Sequence, residues 1–435
     1  MKNVKRPNIL YIFTDQQCSE AMSCAGNEDL HTPAIDSLAA HGTVFKNAYC
    51  TYPLCTPSRA SMFTGRMPHE VGADGNDKEI AERFRKSEMG HLFRDAGYET
   101  AYAGKWHVPQ YNMPDGHGFE VIAGFGDEQT TQKSMEFLKR KHDKPFLLVI
   151  SLNNPHEICE WARAQYIGEN PANAVNTTDC PSLPGNYCIP PYEPQAIREE
   201  TNSRPQVHAN NDFVDINWWR HYRYAYYRYV EQVDEKIGQI LDTLRQQGLE
   251  DNTLIIFSSD HGDMNGAHQL SQKLCLYEES VKVPFIVSYN GVTQPGFVNN
   301  EHLVSAGLDL LPTLCDYAGI PMEYGLKGSS IRSLAEGKKT DCLREQIIIE
   351  TTLPKTNAKG RAVRTSRYKY VIYEWGRFRE QLFDLENDPG EMVNLALSSK
   401  YQAILDEHRE RMAVWVRETE DSFKWLIPPG YRTAL

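Results

Sequence analysis

The sequence predicts an α/β protein: a doubly wound, mainly parallel sheet flanked by helices, with a smaller C-terminal unit of antiparallel sheet and one helix. Three observations lead there. Near-continuous apolar runs recur at residues 8–14, 99–103, 145–152 and 253–259, each ending in polar residues; strands apolar on both faces are those buried from both sides, as in parallel sheets. Helix-type periodicity fills the intervals, the alternation that winds a parallel sheet. From about residue 340 the rhythm changes to closely spaced strand-like runs, so the larger unit spans 1–340 and the smaller 341–435.

In chain order, residues 8–14 read as the first buried strand, ending at Asp15-Gln16-Gln17. Ligands of open α/β sheets gather at such carboxyl ends, although Asp15 alone also suits a cap or turn. A helix over Pro33–His41 leads to Thr43-Val44-Phe45. Residues 88–96 read as a helix stopped by Gly97, before the strand 99–103 and the polar Gly104-Lys105-Trp106-His107. An amphipathic helix over 127–141 precedes the strand 145–152, which ends at Asn153-Asn154-Pro155-His156. Residues 158–211 are rich in Pro, Asn and small polar residues and read as a long surface excursion. One long helix, 218–247, opens with Trp and Tyr residues that read mostly as core. The strand 253–259 ends at Asp260-His261-Gly262-Asp263, where Asp263 and Asn265 suit turn formers. Residues 283–287 form a further short strand and 308–317 a short helix. In the C-terminal unit, strand-like runs occupy 346–350, 362–365 and 368–373, with a turn at Asn387-Asp388-Pro389-Gly390 and a helix over 400–418.

A chain of 435 residues, 40% of them hydrophobic, can bury a large core. Its net charge of −12 argues against nucleic acid as a partner, so an anionic ligand has to be held by locally placed cations or a metal. The ten cysteines are neither dense nor regularly spaced and read as reduced core residues, with Cys180 and Cys188 able to close only a small loop. No apolar run is long enough to span a membrane, and Lys2, Lys5 and Arg6 lead directly into the first strand. A cytoplasmic location is expected if Met1 is native, and a periplasmic or secreted one if a leader has been removed. The sequence leaves the oligomeric state open.

The stretch that organises the chain is Cys55-Thr56-Pro57-Ser58-Arg59-Ala60-Ser61-Met62-Phe63-Thr64-Gly65-Arg66. A cysteine just ahead of Pro57 and Ser58 sits at a helix start, where unpaired N–H groups and the dipole favour negative charge. A buried structural cysteine is the alternative reading. The pattern Cys-x-Pro-Ser-Arg followed by Thr-Gly-Arg resembles the signature of the formylglycine-dependent (type I) sulfatases of the alkaline phosphatase-like superfamily. Further stretches carry the resemblance: 7–15, His31-Thr32-Pro33, 104–107, 154–156, 259–262 and 364–395. It implies the same doubly wound fold. It also implies that a maturation enzyme oxidises Cys55 to formylglycine, whose hydrate attacks sulfur with one hydroxyl and releases sulfate by collapse through the other.

The resemblance implies site residues one by one. Arg59 neutralises charge beside the nucleophile, Lys105 and Lys273 meet sulfate oxygens, His107 hydrogen-bonds the formylglycine hydroxyl, and His156 serves the leaving oxygen. Asp15, Gln16, Asp260, His261 and residue 55 supply the sphere of one divalent metal, which would polarise a sulfuryl oxygen. Calcium is the family default; Gln16 and His261 lower the ligand charge and also suit Mn²⁺ or Mg²⁺. His31, His69 and His268 read as structural. The expected activity is hydrolysis of O-linked or N-linked sulfate on a glycosaminoglycan- or mucin-type saccharide, with substrate contacts from 158–211 and from Arg361, Arg364 and Arg377. Two rivals are a phosphonate or phosphate monoester hydrolase of the same superfamily, and a sulfated-glycan binding protein in which Cys55 is never converted.

Overall fold

The computed structural model describes residues 6–108, 114–166, 175–203, 215–322, 325–338, 343–423 and 428. Eight strands form one sheet, ordered Glu120–Ala123, Glu99–Gly104, Phe146–Pro155, Asn8–Asp15, Thr253–Ser259, Phe285–Ser288, Thr43–Phe45 and Phe297–Asn299. The first five are mutually parallel, with Tyr11 opposite Val149 on one side and Ile256 on the other. Phe285–Ser288 is antiparallel to both of its neighbours. The mainly parallel α/β sheet expected from the apolar runs is therefore present.

Those runs are apolar throughout because both sheet faces are covered. Ile9, Tyr11 and Phe13 pack with Phe63 of the Cys55–Thr64 helix on one face. Leu10 and Ile12 meet Val233, Ile237 and Ile240 of the Ile216–Gln246 helix on the other. Asp215 caps that long helix by accepting from Trp218 N at 2.9 Å. Trp219, Tyr222, Tyr226 and Tyr227 at its start are buried, as a core reading requires.

Gln346–Leu353, Ala358–Thr365, Tyr368–Tyr373 and Glu380–Asp384 form a four-stranded antiparallel sheet in sequence order. The helix Gln402–Thr419 covers it through Leu405, Met412, Ala413 and Val416. Within the expected excursion the chain forms the helices Ile158–Tyr166 and Gln195–Asn202; residues 167–174 and 204–211 lie outside the described residues. Short apolar contacts such as Ile197 with the main core stabilise helices that had no sustained sequence period. Cys180 and Cys188 are both free thiols. No helix among the described residues is long and apolar enough to cross a membrane.

Candidate active site

Four adjacent parallel strands deliver their polar carboxyl ends to one edge of the sheet: Asp15, Asp260 with His261, Lys105 with His107, and His156. The Cys55–Thr64 helix begins beside them, and all ten of its residues are buried. Its end is set by Gly65 at φ 65°, a left-handed cap whose N–H reaches Ser61 O. The Thr56 N–H is taken by Asn76 Oδ1 at 3.1 Å and Pro57 has none, so the helix start contributes its dipole and the placement of Cys55 to an anion site.

Arg59 ties the strand ends together. Its Nη2 donates to Asp15 at 2.8 Å and its Nε to Asp260 at 2.8 Å, while Nη1 donates to the Lys105 carbonyl at 2.6 Å and Ser151 Oγ at 3.0 Å. Lys105 Nζ lies 2.8 Å from Asp15 Oδ2, and Lys273 Nζ lies 3.8 Å from Asp15 Oδ1 and 3.4 Å from Cys55 Sγ. Three cations thus face two carboxylates within a chain that is acidic as a whole. Although burial pushes the Asp15 carboxyl up, the surrounding Lys105, His156, Lys273 and Arg59 charges hold it well below the usual carboxylate range. Burial and Asp15 push the Cys55 thiol up, but Lys273, Lys105 and His261 outweigh them and lower it well below the ordinary thiol value. Burial and the Lys273 charge hold His156 low, so it is a neutral imidazole at neutral pH, close enough to hydrogen-bond Cys55.

The ligating atoms of Asp15, Cys55, Asp260 and His261 all lie within 4.8 Å of one another, and all four residues are buried. His261 Nδ1 is 3.0 Å from the Gly262 carbonyl, which can only accept, so that nitrogen carries the hydrogen. Nε2 then turns a lone pair toward Cys55 Sγ at 3.4 Å, Asp260 Oδ1 at 3.5 Å and Asp15 Oδ1 at 3.7 Å. Two carboxylates and an imidazole with its tautomer held this way fit a divalent cation. Gln16 is adjacent, with its Oε1 on Lys273 Nζ at 2.6 Å and Cys159 Sγ at 3.4 Å.

A cavity of about 700 Å³ opens over this cluster, lined by Cys55, Lys105, His107, His156 and Lys273. His107 Nδ1 is buried without a hydrogen-bond partner among the described residues, and its carbonyl accepts from Thr56 Oγ1 at 2.8 Å, which anchors its loop to the helix start. The His156 loop is anchored by Asp127, whose carboxylate accepts from Asn153 N at 2.6 Å and Asn154 N at 3.0 Å. The outer wall carries Asp74, Asn76 and Lys78 from one side and Thr352, Asn357 and Lys359 from the C-terminal sheet.

The expected saccharide contacts need correction. Arg361 is buried with its guanidinium held by Asp421 at 2.7 and 3.1 Å, and Arg364 is buried with its Nε on Tyr49 Oη at 2.9 Å. Neither lines the cavity, and Arg377 is exposed on a separate surface beside Tyr192 and Phe378. The C-terminal sheet reaches the cavity through residues 352–359 instead, and the 158–211 stretch through Cys159 and Arg163.

Asp263 is also more than a turn former. It is fully buried and accepts from Gln16 Nε2 at 2.6 Å, Tyr222 Oη at 3.0 Å and Asn265 N at 2.7 Å. Tyr226 Oη donates to the Gln16 carbonyl at 2.7 Å and accepts from Cys18 N at 2.9 Å. The aromatic helix start therefore supports the loop after Asp15, a role without a sequence signal because the partners lie some 200 residues apart.

A cation-rich cavity at the carboxyl edge of a doubly wound sheet, with an activated nucleophile position at a helix start, defines a hydrolase of anionic esters. The sulfatase family model matches residues 7–320, and a model described as N-sulphoglucosamine sulphohydrolase, C-terminal, matches 266–418. The chain belongs to the sulfatase family and is a sulfuric ester hydrolase. It is 30% identical to a Delta 4,5-hexuronate-2-O-sulfatase of Bacteroides thetaiotaomicron, over 97% of this chain and 91% of that one. It is 29% identical to an ulvan-active sulfatase of Formosa agariphila, over 96% and 83%. Among solved structures, a 2-O GAG sulfatase superposes with a TM-score of 0.84 at 28% identity, covering 98% of this chain and 96% of the other.

Proposed function

We propose that the protein removes O-linked or N-linked sulfate from a saccharide, through a formylglycine made from Cys55 by a separate maturation enzyme. The observation that carries this reading is the position of Cys55 Sγ, ringed by His261 Nε2 and Lys273 Nζ at 3.4 Å each and Asp15 Oδ1 at 3.6 Å, on the floor of the cavity. The named relatives act on a hexuronate 2-O-sulfate and on ulvan, which supports a saccharide substrate without naming the sugar.

Asp15, Asp260, His261 and residue 55 would hold one divalent metal, with Gln16 as the further oxygen donor that the family resemblance implies; calcium is the expected ion, and Mn²⁺ or Mg²⁺ suits the same donors. That ion would supply Lewis-acid polarisation of a sulfuryl oxygen. Lys105 and Lys273 neutralise the remaining sulfuryl oxygens, and their desolvated ammonium groups stabilise charge gathering there in the transition state. His156, neutral at rest, hydrogen-bonds the leaving oxygen through its N–H and stabilises the charge that builds there. His107 holds the hydroxyl of residue 55 and takes its proton as sulfate departs. Arg59 stays on Asp15 and Asp260 throughout, offsetting their charge and holding both carboxylates in place.

The test is peptide mass spectrometry of residue 55 after co-expression with a maturation enzyme, followed by assay on sulfated mono- and disaccharides, an aryl sulfate and an aryl phosphonate. Conversion to the aldehyde with sulfate release from saccharides is the expected result. A converted residue with faster phosphonate than sulfate turnover would transfer the chain to the phosphonate hydrolases. A persistent thiol with saccharide binding and no release would leave the binding-protein reading.

A further inference from the structure

Gln16 bridges two groups of opposite hydrogen-bonding character. On one side stands Asp263, 2.6 Å from Nε2; on the other stands Lys273, whose Nζ is 2.6 Å from Oε1. An ionised carboxylate only accepts and an ammonium only donates, so the pair admits a single orientation of the amide between them. The backbone of Gln16 is pinned as well: its N–H donates to Asp260 Oδ1 at 3.1 Å, its carbonyl accepts from Tyr226, and its φ of 77° is left-handed. That conformation is strained in a residue with a Cβ, so the surrounding contacts enforce it.

We propose that Asp263 is a positioning residue for sulfate ester hydrolysis, acting through the Gln16 amide to place the Lys273 ammonium. Asp263 does not line the cavity and reaches no reacting atom. It is held in turn by Tyr222 and Asn265, with every atom of its side chain buried. A lysine ammonium on a four-carbon stem goes where its acceptors are. With Gln16 Oε1 presented to it, Lys273 stays 3.8 Å from Asp15 Oδ1. With the amide reversed, an N–H₂ would face the ammonium, and Lys273 would be drawn toward Asp15 and away from the sulfuryl position. The chain Asp263–Gln16–Lys273 is thus a one-way relay of donors and acceptors that sets where an anion meets positive charge. The proposal rests on the reading that Lys273 binds the sulfuryl group.

Substitution can break the relay and rebuild it. In Asp263→Asn the new amide offers either an oxygen or an N–H₂, so Gln16 is free to turn, and kcat/KM should fall about 10- to 100-fold, mostly through KM. Gln16→Glu sets a second carboxylate 2.6 Å from Asp263 and should lose as much. The double variant Asp263→Asn/Gln16→Glu restores the relay: Asn donates to one carboxylate oxygen and the other accepts from Lys273. Because Gln16 is also a proposed metal donor, recovery is read in sulfate binding by the metal-free protein, where the double variant should come to within about threefold of the parent affinity. Tyr222→Phe removes a donor to Asp263 and keeps the carboxylate, so its KM should stay near the parent value. A readout independent of turnover is calorimetric binding of inorganic sulfate to the unconverted Cys55 protein, weakened in Asp263→Asn and restored in the double variant. A double variant no better than the worse single one, or Tyr222→Phe as damaging as Asp263→Asn, would overturn the proposal. If the parent releases sulfate from no saccharide, the proposed function fails, and the sulfate-binding series still decides the role of Asp263.

Discussion

Arg59 donates to Asp15 at 2.8 Å with both side chains fully buried, and the same guanidinium holds Asp260 at the same distance. One cation therefore joins the ends of two neighbouring strands at the cavity edge of the sheet. Arg59→Lys keeps the charge but not the fork of donors, and Arg59→Ala leaves two carboxylates buried and under-neutralised. Removing one partner of such a group typically destabilises by about 3–5 kcal/mol. Thermal melts should show a loss of that order for the alanine variant, and both variants should lose more than about 100-fold in kcat/KM. An Arg59→Ala protein as stable as the parent would contradict the role given to this residue.

Gly104 ends its strand at φ 106°, and a Cβ there would lie 2.0 Å from the Ser151 carbonyl. Gly104→Ala must push apart two central strands and displace Lys105, so both stability and turnover should fall. Gly97, at φ 89° with nothing within 4 Å of an added methyl group, is the control. Gly97→Ala should cost about 1 kcal/mol of left-handed strain and leave kcat/KM unchanged.

Stability should depend on pH through His69. Burial pushes its imidazole down, but the Glu350 carboxylate hydrogen-bonded to Nδ1 outweighs that and raises it to about 9. A folded-state value above the unfolded one means that the contribution is complete below pH ~6.5 and is lost as pH rises through about 9. The magnitude is about 3 kcal/mol. Denaturant midpoints at pH 6 and pH 10 should diverge in the parent by more than in His69→Gln. Equal divergence in the two proteins would remove His69 as the cause.

Metal loading should raise the melting temperature, because an ion held by Asp15, Asp260 and His261 binds only the folded chain. At one hundred times its dissociation constant the gain is about 2.7 kcal/mol. Chelator should remove it and excess Ca²⁺ or Mn²⁺ restore it, while Asp260→Asn should respond weakly to either. A melting temperature indifferent to chelator and to added ion would argue against this donor set.

Much of the site is legible in the sequence because its chemistry is local. Asp15, Lys105, His156, Asp260 and His261 each lie within four residues of the end of an apolar run, and Cys55 opens a helix with its own start and stop signals. Strand ends converge on one edge whenever the strands are parallel neighbours, so the runs place these residues together, while their roles come from the family resemblance. Arg361 and Arg364 show where that reasoning stops. On a strand pattern each is an arginine free to meet an anionic sugar, but the Asp421 and Tyr49 that occupy them come from distant segments. The stretch 158–211 looks irregular in sequence because a helix as short as Gln195–Asn202 spans only about two turns, too few to make a period stand out, and depends on packing for its stability.

The sequence by itself determined the class of fold, the helix start carrying Cys55, and the list of polar residues offered at strand ends, since these follow from burial on two faces and from short-range capping. Only the tertiary structure decided how those residues face one another. It set Arg59 between two carboxylates, turned His261 Nε2 inward through the Gly262 carbonyl, and made Asp263 the acceptor that orients Gln16. The reason is geometric: hydrogen bonds are satisfied over about 3 Å in space, while the partners here, Gln16 with Asp263 and Tyr226, are separated by more than 200 residues of chain.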